Sequence, residues 1–293
     1  MNGRGGPSTP AIAVLAVAIA VTLGAGVLRA LTHDPVPATG ALTPEGAVRS
    51  YYAALEAGRC GRAARYVDPG FLPADELCAR FDETVAASGT LLGVTDQEVG
   101  EETATLIVAR DLGGLADHRL VRAVRTGDLW RLAGGSSCFP VLHPTDLGAA
   151  HLLEGQPFEG YSSIPPTSGP HSPVATTPGV VYEHPQPPPE VVHAMEHGAV
   201  VLWVAPEMPD PMLAALLETV DDLLEEGYLS LIVTPLPGLE QPFAMTAWGS
   251  LQRCLGVAPQ EVHAFVEAHY ASGGEGSLAC QGLAAGVPRC RDA

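Results

Sequence analysis

The chain has 293 residues, is 46% hydrophobic, and carries 33 acidic against 15 basic side chains for a formal net charge of −18. That length allows two modest domains plus an extra segment. A surface this acidic, with no arginine stripe to offset it, repels phosphate backbones and excludes nucleic acid as a partner.

From Ala11 to Leu28 the sequence reads AIAVLAVAIAVTLGAGVL without a charge. The run is close to the ~20 residues a helix needs to cross a bilayer. We expect a short tail (1–10), a transmembrane signal anchor (11–30) and a linker (31–42). A cleaved signal peptide is the rival, because small residues near Gly24–Gly26 and Val36–Ala38 offer cleavage points. Either reading puts the bulk outside the cytoplasm at the cell membrane, where unidentified envelope proteins are possible partners. Six cysteines suit an exported chain: Cys60, Cys78, Cys138, Cys254, Cys280 and Cys290. An even number without a CxxC is read as disulfides. Cys60 and Cys78 fall within one helical hairpin and are expected to pair; the pairing of the other four is open.

Thr43-Pro44-Glu45 is a helix start, with Thr as N-cap and Pro in the first turn. Val48, Tyr51, Tyr52 and Leu55 recur at helical spacing up to Gly58. A second helix is predicted over Pro73–Ala87. Strands follow at Thr90–Val99, Thr103–Arg110, Arg119–Arg125 and Leu129–Leu132. Helix, helix, then an antiparallel meander closing on Trp130 resembles the cystatin-like, nuclear-transport-factor-2-like superfamily. That resemblance implies a cone-like helical hairpin wrapped by a curved sheet over 43–134. Asp68, Asp82 and Glu83 read as surface charge, not as an acid–base pair.

A connector (135–160) holds Cys138, His143 and His151. The second domain is predicted over 161–272. Tyr161–Pro189 is too rich in proline for helix or central strand. Beyond it we expect a short helix (Glu190–His197), a strand (Ala199–Val204), an amphipathic helix (Pro211–Glu226), strands at Leu229–Thr234 and Phe243–Trp248, and a closing helix (Pro259–His269). This order suggests a compact α+β sandwich, ferredoxin-like in element order, followed by a Cys-containing tail (273–293). Met208, Met212 and Met245 fit core positions better than soft metal ligation.

The chemistry concentrates between Tyr161 and Gly198. His193 and His197 are four residues apart and share a helix face with Glu196, a workable spacing for two imidazoles on one metal. In Ser168-Gly169-Pro170, Gly and Pro fix the backbone that aims His171. His171, His193, Glu196 and His197 are therefore the candidate metal ligands, suited to zinc or copper. A structural role competes: the same side chains can hydrogen-bond neighbouring backbone and pin coil to sheet. HxxEH is also the inverzincin string, in which Glu196 would be general base of a hydrolase. That use needs a third ligand and an open cleft, whereas Gly198 stops the helix at once.

The strings PPTSGPH, HAMEHG and TAWG, within Tyr161–Tyr270, resemble the bacterial family catalogued as domain of unknown function 3105. The resemblance marks Pro166, Thr167, Ser168, Gly169, His171, His193, Glu196, His197, Gly198, Trp248 and Gly249 as the family pattern and implies an exported or membrane-anchored protein, with no role attached to any residue; Tyr161 reads as part of the structural network around them. The expected whole is a membrane-anchored α+β protein whose His/Glu site binds metal for binding or structure rather than turnover; a metal-dependent hydrolase and a non-catalytic envelope scaffold are the rivals.

Overall fold

Thr43 caps the first helix as its sequence requires: Oγ1 accepts from the Gly46 N–H at 3.0 Å. Helix α1 (Pro44–Glu56) buries Ala47, Val48, Tyr52, Ala54 and Leu55 on one face. The structure is a computed structural model that describes residues 40–153 and 155–273. The expected transmembrane segment (11–30), Cys280 and Cys290 lie outside them. Among the described residues no helix is long and apolar enough to cross a membrane.

Two short helical pieces follow α1, α2 (Cys60–Ala63) and a 3₁₀ turn (Ala64–Tyr66), neither of which was expected. The single helix expected over Pro73–Ala87 is broken into α3 (Ala74–Ala79) and α4 (Phe81–Ser88). Arg80 leaves the helical region between them, at φ −114° and ψ 29°. Leu77 and Cys78 explain the break. Leu77 is buried against Ala54, Leu55, Ala63 and Val67, and Cys78 is disulfide-bonded to Cys60. Both hold α3 against α2, while α4 buries no residue fully.

The first sheet is the expected meander, β1 (Thr90–Val99), β2 (Thr103–Asp111), β3 (Ala116–Thr126) and β4 (Leu129–Ser136), antiparallel in sequence order. Alternation places Ala104, Leu106 and Val108 of β2 inward. Buried Arg110 is neutralised by Asp117 at 2.6 Å and donates to Ala87 O at 2.9 Å, which ties the sheet to the end of α4.

The second sheet departs from the ferredoxin-like expectation. Its strands are β5 (Val180–Val181), β6 (Val200–Val204), β7 (Leu231–Pro235), β8 (Phe243–Ala247) and β9 (Ser250–Cys254), in the order β5-β7-β6-β8-β9. β6 and β7 are parallel neighbours, whereas β8 and β9 are antiparallel. The crossover α6 (Asp210–Glu225) joins β6 directly to the strand beside it, so the sheet is mixed. Strands β5 and β9 were not anticipated. Fully buried β6 splits its side chains between two cores. Val200, Leu202 and Val204 meet α6 and α7 (Pro259–His269), with Met208, Met212 and Met245 in the same core. Val201 and Trp203 meet α5 (Pro188–Glu196) on the opposite face.

The connector is part of this architecture. Residues 137–142 run antiparallel to β9, through Phe139 N to Arg253 O at 2.8 Å and paired bonds between Leu142 and Leu251. They cover what would be an open sheet edge. Glu261, in the first turn of α7, accepts from the Ser137 and Cys138 N–H groups at 2.9 and 3.0 Å. A disulfide joins Cys138 to Cys254 across 116 residues, while Cys60–Cys78 spans 18. Constraining the longer loop restricts the unfolded chain more. Replacing Cys138 and Cys254 together by Ser is expected to lower unfolding free energy by about 2–5 kcal/mol, more than the same change at Cys60 and Cys78, as read from denaturant midpoints.

Candidate metal centre

Helix α5 enters through prolines: Pro187 precedes it and Pro188 opens it, so the missing amides cost no hydrogen bond there. Val191, Val192, Ala194 and Met195 pack on the second sheet. This leaves His193, Glu196 and His197, at i, i+3 and i+4, on the face turned from the sheet. The helix is fixed in depth by a polar relay. Trp203 Nε1 donates to Thr246 Oγ1 at 2.7 Å, and Thr246 Oγ1 lies 3.2 Å from Met195 Sδ as its donor. Gly198 ends the helix with φ +82°, and a Cβ there would come within 2.6 Å of Ala271 Cα. Only glycine fits that turn.

The proline-rich coil is bound down bond by bond. Gly249 N, in the Trp248-Gly249 hairpin turn, donates to Thr167 O at 3.0 Å. Leu147 N donates to Ser168 Oγ at 3.2 Å, Ser172 N to Pro189 O at 3.1 Å, and Thr176 N to Glu190 O at 3.0 Å. Tyr161 OH donates to Pro170 O at 3.0 Å, and burial pushes its phenol up to about 12. Gly169 has φ +128° and sits against Leu147 and the Tyr161 ring, where a Cβ would approach both to 3.3 Å. Pro166, Thr167 and Ser168 are buried, and Trp248 stands edge-on to His171 at 6.2 Å between ring centroids.

These restraints bring four ligand groups together. The available ligand atoms of His151, His171, His193 and Glu196 all lie within 4.8 Å of one another. The ring centroids of the three histidines are 4.9 to 5.2 Å apart. His171 Nε2 is 3.1 Å from Glu196 Oε2. Neither atom is otherwise hydrogen-bonded, although both are buried. Two ligands on a tetrahedral zinc lie roughly 3.3 Å apart, so this pair already has the spacing of a coordination edge. The group could hold a metal ion.

The tautomers follow from the acceptors. His171 Nδ1 is 2.9 Å from Gly169 O and His193 Nδ1 is 2.7 Å from Ser172 O. A carbonyl only accepts, so each Nδ1 carries a proton, which leaves the Nε2 atoms to face Glu196 from His171 and His197 from His193. His193 Nε2 in turn lies 3.0 Å from His197 Nε2. With the His193 proton on Nδ1, that contact is either a bond donated by His197 or two lone pairs around a shared cation. Burial lowers the His193 pKa below the ordinary histidine value; nearby His171, His197 and His151 push it the same way, against the bond to Ser172 O. Neutral imidazole, the ligating form, is thereby favoured.

Three of the four residues singled out in the sequence, His171, His193 and Glu196, are thus brought together, and His197 stands beside them. The fourth member, His151, comes from the connector and carries no sequence signal of its own. It arrives through a short parallel bridge: His171 N donates to Ala150 O at 3.0 Å and Leu152 N to His171 O at 2.7 Å. No periodic pattern signals such a bridge. His151 is exposed, whereas the other three are buried.

Residues 151–282 match the model of a family described as protein of unknown function (DUF3105). The match opens at His151, ten residues before the start expected at 161, and so takes in all four converging groups. No comparison supports the likeness of 43–134 to the nuclear-transport-factor-2-like superfamily. No curated protein and no solved structure matches the chain.

In metal-free protein, His171→Ala is expected to cost about 1–3 kcal/mol, because it strands the Gly169 carbonyl in a dry site. Exposed His151→Ala is expected to cost less than about 0.5 kcal/mol. Thermal unfolding in chelator checks the contrast.

Proposed function

We propose that the C-terminal domain is a binding module for one divalent transition-metal ion, held by His151, His171, His193 and Glu196. What carries the reading is the convergence of four ligand groups within 4.8 Å, with His171 and His193 each held through Nδ1 by a backbone carbonyl. Imidazole is an intermediate ligand and carboxylate a hard one, and three of the first with one of the second suits zinc or copper(II). Among the described residues the cysteines are paired in disulfides, and Met195 Sδ, the sulfur on the helix that bears the site, accepts from Thr246. Binding the ion would draw exposed His151 inward and close the coil 150–152 over the site.

The role we assign is binding or structure. Glu196 Oε2 stands at ligand distance from His171 Nε2 and not one water further out, which speaks against its use as general base. We place the domain outside the cytoplasm, tethered by the apolar segment 11–30, in agreement with the disulfides formed by Cys60, Cys78, Cys138 and Cys254.

Zinc or copper added to the purified chain is expected to bind at one ion per chain, measured by elemental analysis after gel filtration. His193→Ala should abolish stoichiometric binding and Glu196→Gln should weaken it. Retention of tight metal by Glu196→Gln, with hydrolysis lost, would move Glu196 from ligand to base. No stoichiometric metal under any loading condition would leave a loop-pinning network.

The anchor is tested by fractionation: the chain should sediment with membranes and keep residues 1–30. A soluble form beginning between Leu31 and Thr39 would show cleavage instead.

A further inference from the structure

The first sheet and its helices enclose a concavity that the metal site does not use. Its deeper part, about 210 Å³, is lined by Tyr51, Tyr52, Phe71, Leu132, Arg110 and Arg119. A second hollow of about 350 Å³ adjoins it and shares Tyr51, Leu72, Ser88 and Arg119. The two arginines differ in their partners. Arg110 is spent on Asp117 and Ala87 O. Arg119, on β3, has no carboxylate within ion-pair distance among the described residues, and its Nε is buried without a hydrogen bond. A half-buried guanidinium without a carboxylate partner, set among two tyrosines and a phenylalanine, is placed to receive an anion.

We infer that this concavity binds a small carboxylate with a single-ring or short aliphatic body, received by Arg119. A guanidinium offers a planar fork that matches a carboxylate. The aromatic walls suit an apolar body, and a volume of about 210 Å³ falls below the ~300–1,000 Å³ of drug-sized pockets. The outer hollow carries Glu76 and the ion pair of Arg80 with Glu83 at 3.0 Å, so the negative end lies at Arg119 and the apolar body against Tyr52 and Phe71.

The test is calorimetric titration of the full-length chain with benzoate, phenylacetate and hexanoate, against benzamide as the uncharged analogue. At least one carboxylate is expected to saturate below about 10 mM and to bind at least about tenfold more tightly than its amide. Arg119→Gln should weaken it about tenfold or more, and the exposed control Arg122→Gln should leave it unchanged, with circular dichroism showing that both variants fold. If Arg119→Gln does not fold, Arg119→Lys replaces it, with weakened carboxylate binding as the expected result. No saturable carboxylate binding, equal binding of benzamide, or binding indifferent to Arg119 overturns the inference.

Discussion

Two backbone carbonyls, Gly169 O and Ser172 O, decide what the histidine cluster can do. Each accepts the Nδ1 proton of one imidazole, His171 or His193. Without them either ring could present an N–H to the centre, and the rings would satisfy one another as an ordinary buried network. With them, both Nε2 atoms are left for the site, where they meet a carboxylate oxygen in a largely buried cluster, an arrangement suited to a cation. The two carbonyls flank His171, so one stretch of coil orients two ligands that reach the site from different elements.

That coil keeps its place because the second sheet gives it something to bind. The TAWG hairpin presents Gly249 N to Thr167 and the Trp248 edge to His171, while Thr246 reaches Met195 on the helix that bears His193 and Glu196. One hairpin therefore fixes both halves of the site. The opposite face of the sheet is filled by α6 and α7 and needs no polar groups of its own. The N-terminal sheet joins this body through the connector, the Glu261 clamp and the Cys138–Cys254 disulfide.

Much of this was legible from residues close together in the chain. His193, Glu196 and His197 fall within one helical turn, and Gly169 with Pro170 signals an aimed backbone; both readings rest on local geometry. The α1 cap, the four-stranded meander and α7 were legible for the same reason. The misses share a different cause, because each depends on contacts made at long range. His151 joins the site by bridging to His171, β6 and β7 pair as parallel neighbours through a crossover, and β5 is two residues laid against β7. Burial of Leu77 and the Cys60–Cys78 bond broke a helix that periodicity alone would have kept whole.

The central claim is a statement about where two protons sit, and nitrogen-15 NMR of the histidine side chains reads that directly. In metal-free protein, His171 and His193 should both carry a proton on Nδ1, and added zinc should shift the Nε2 resonances while the Nδ1 protons stay in place. A bare Nδ1 on either ring, or Nε2 resonances that zinc does not move, would contradict the account.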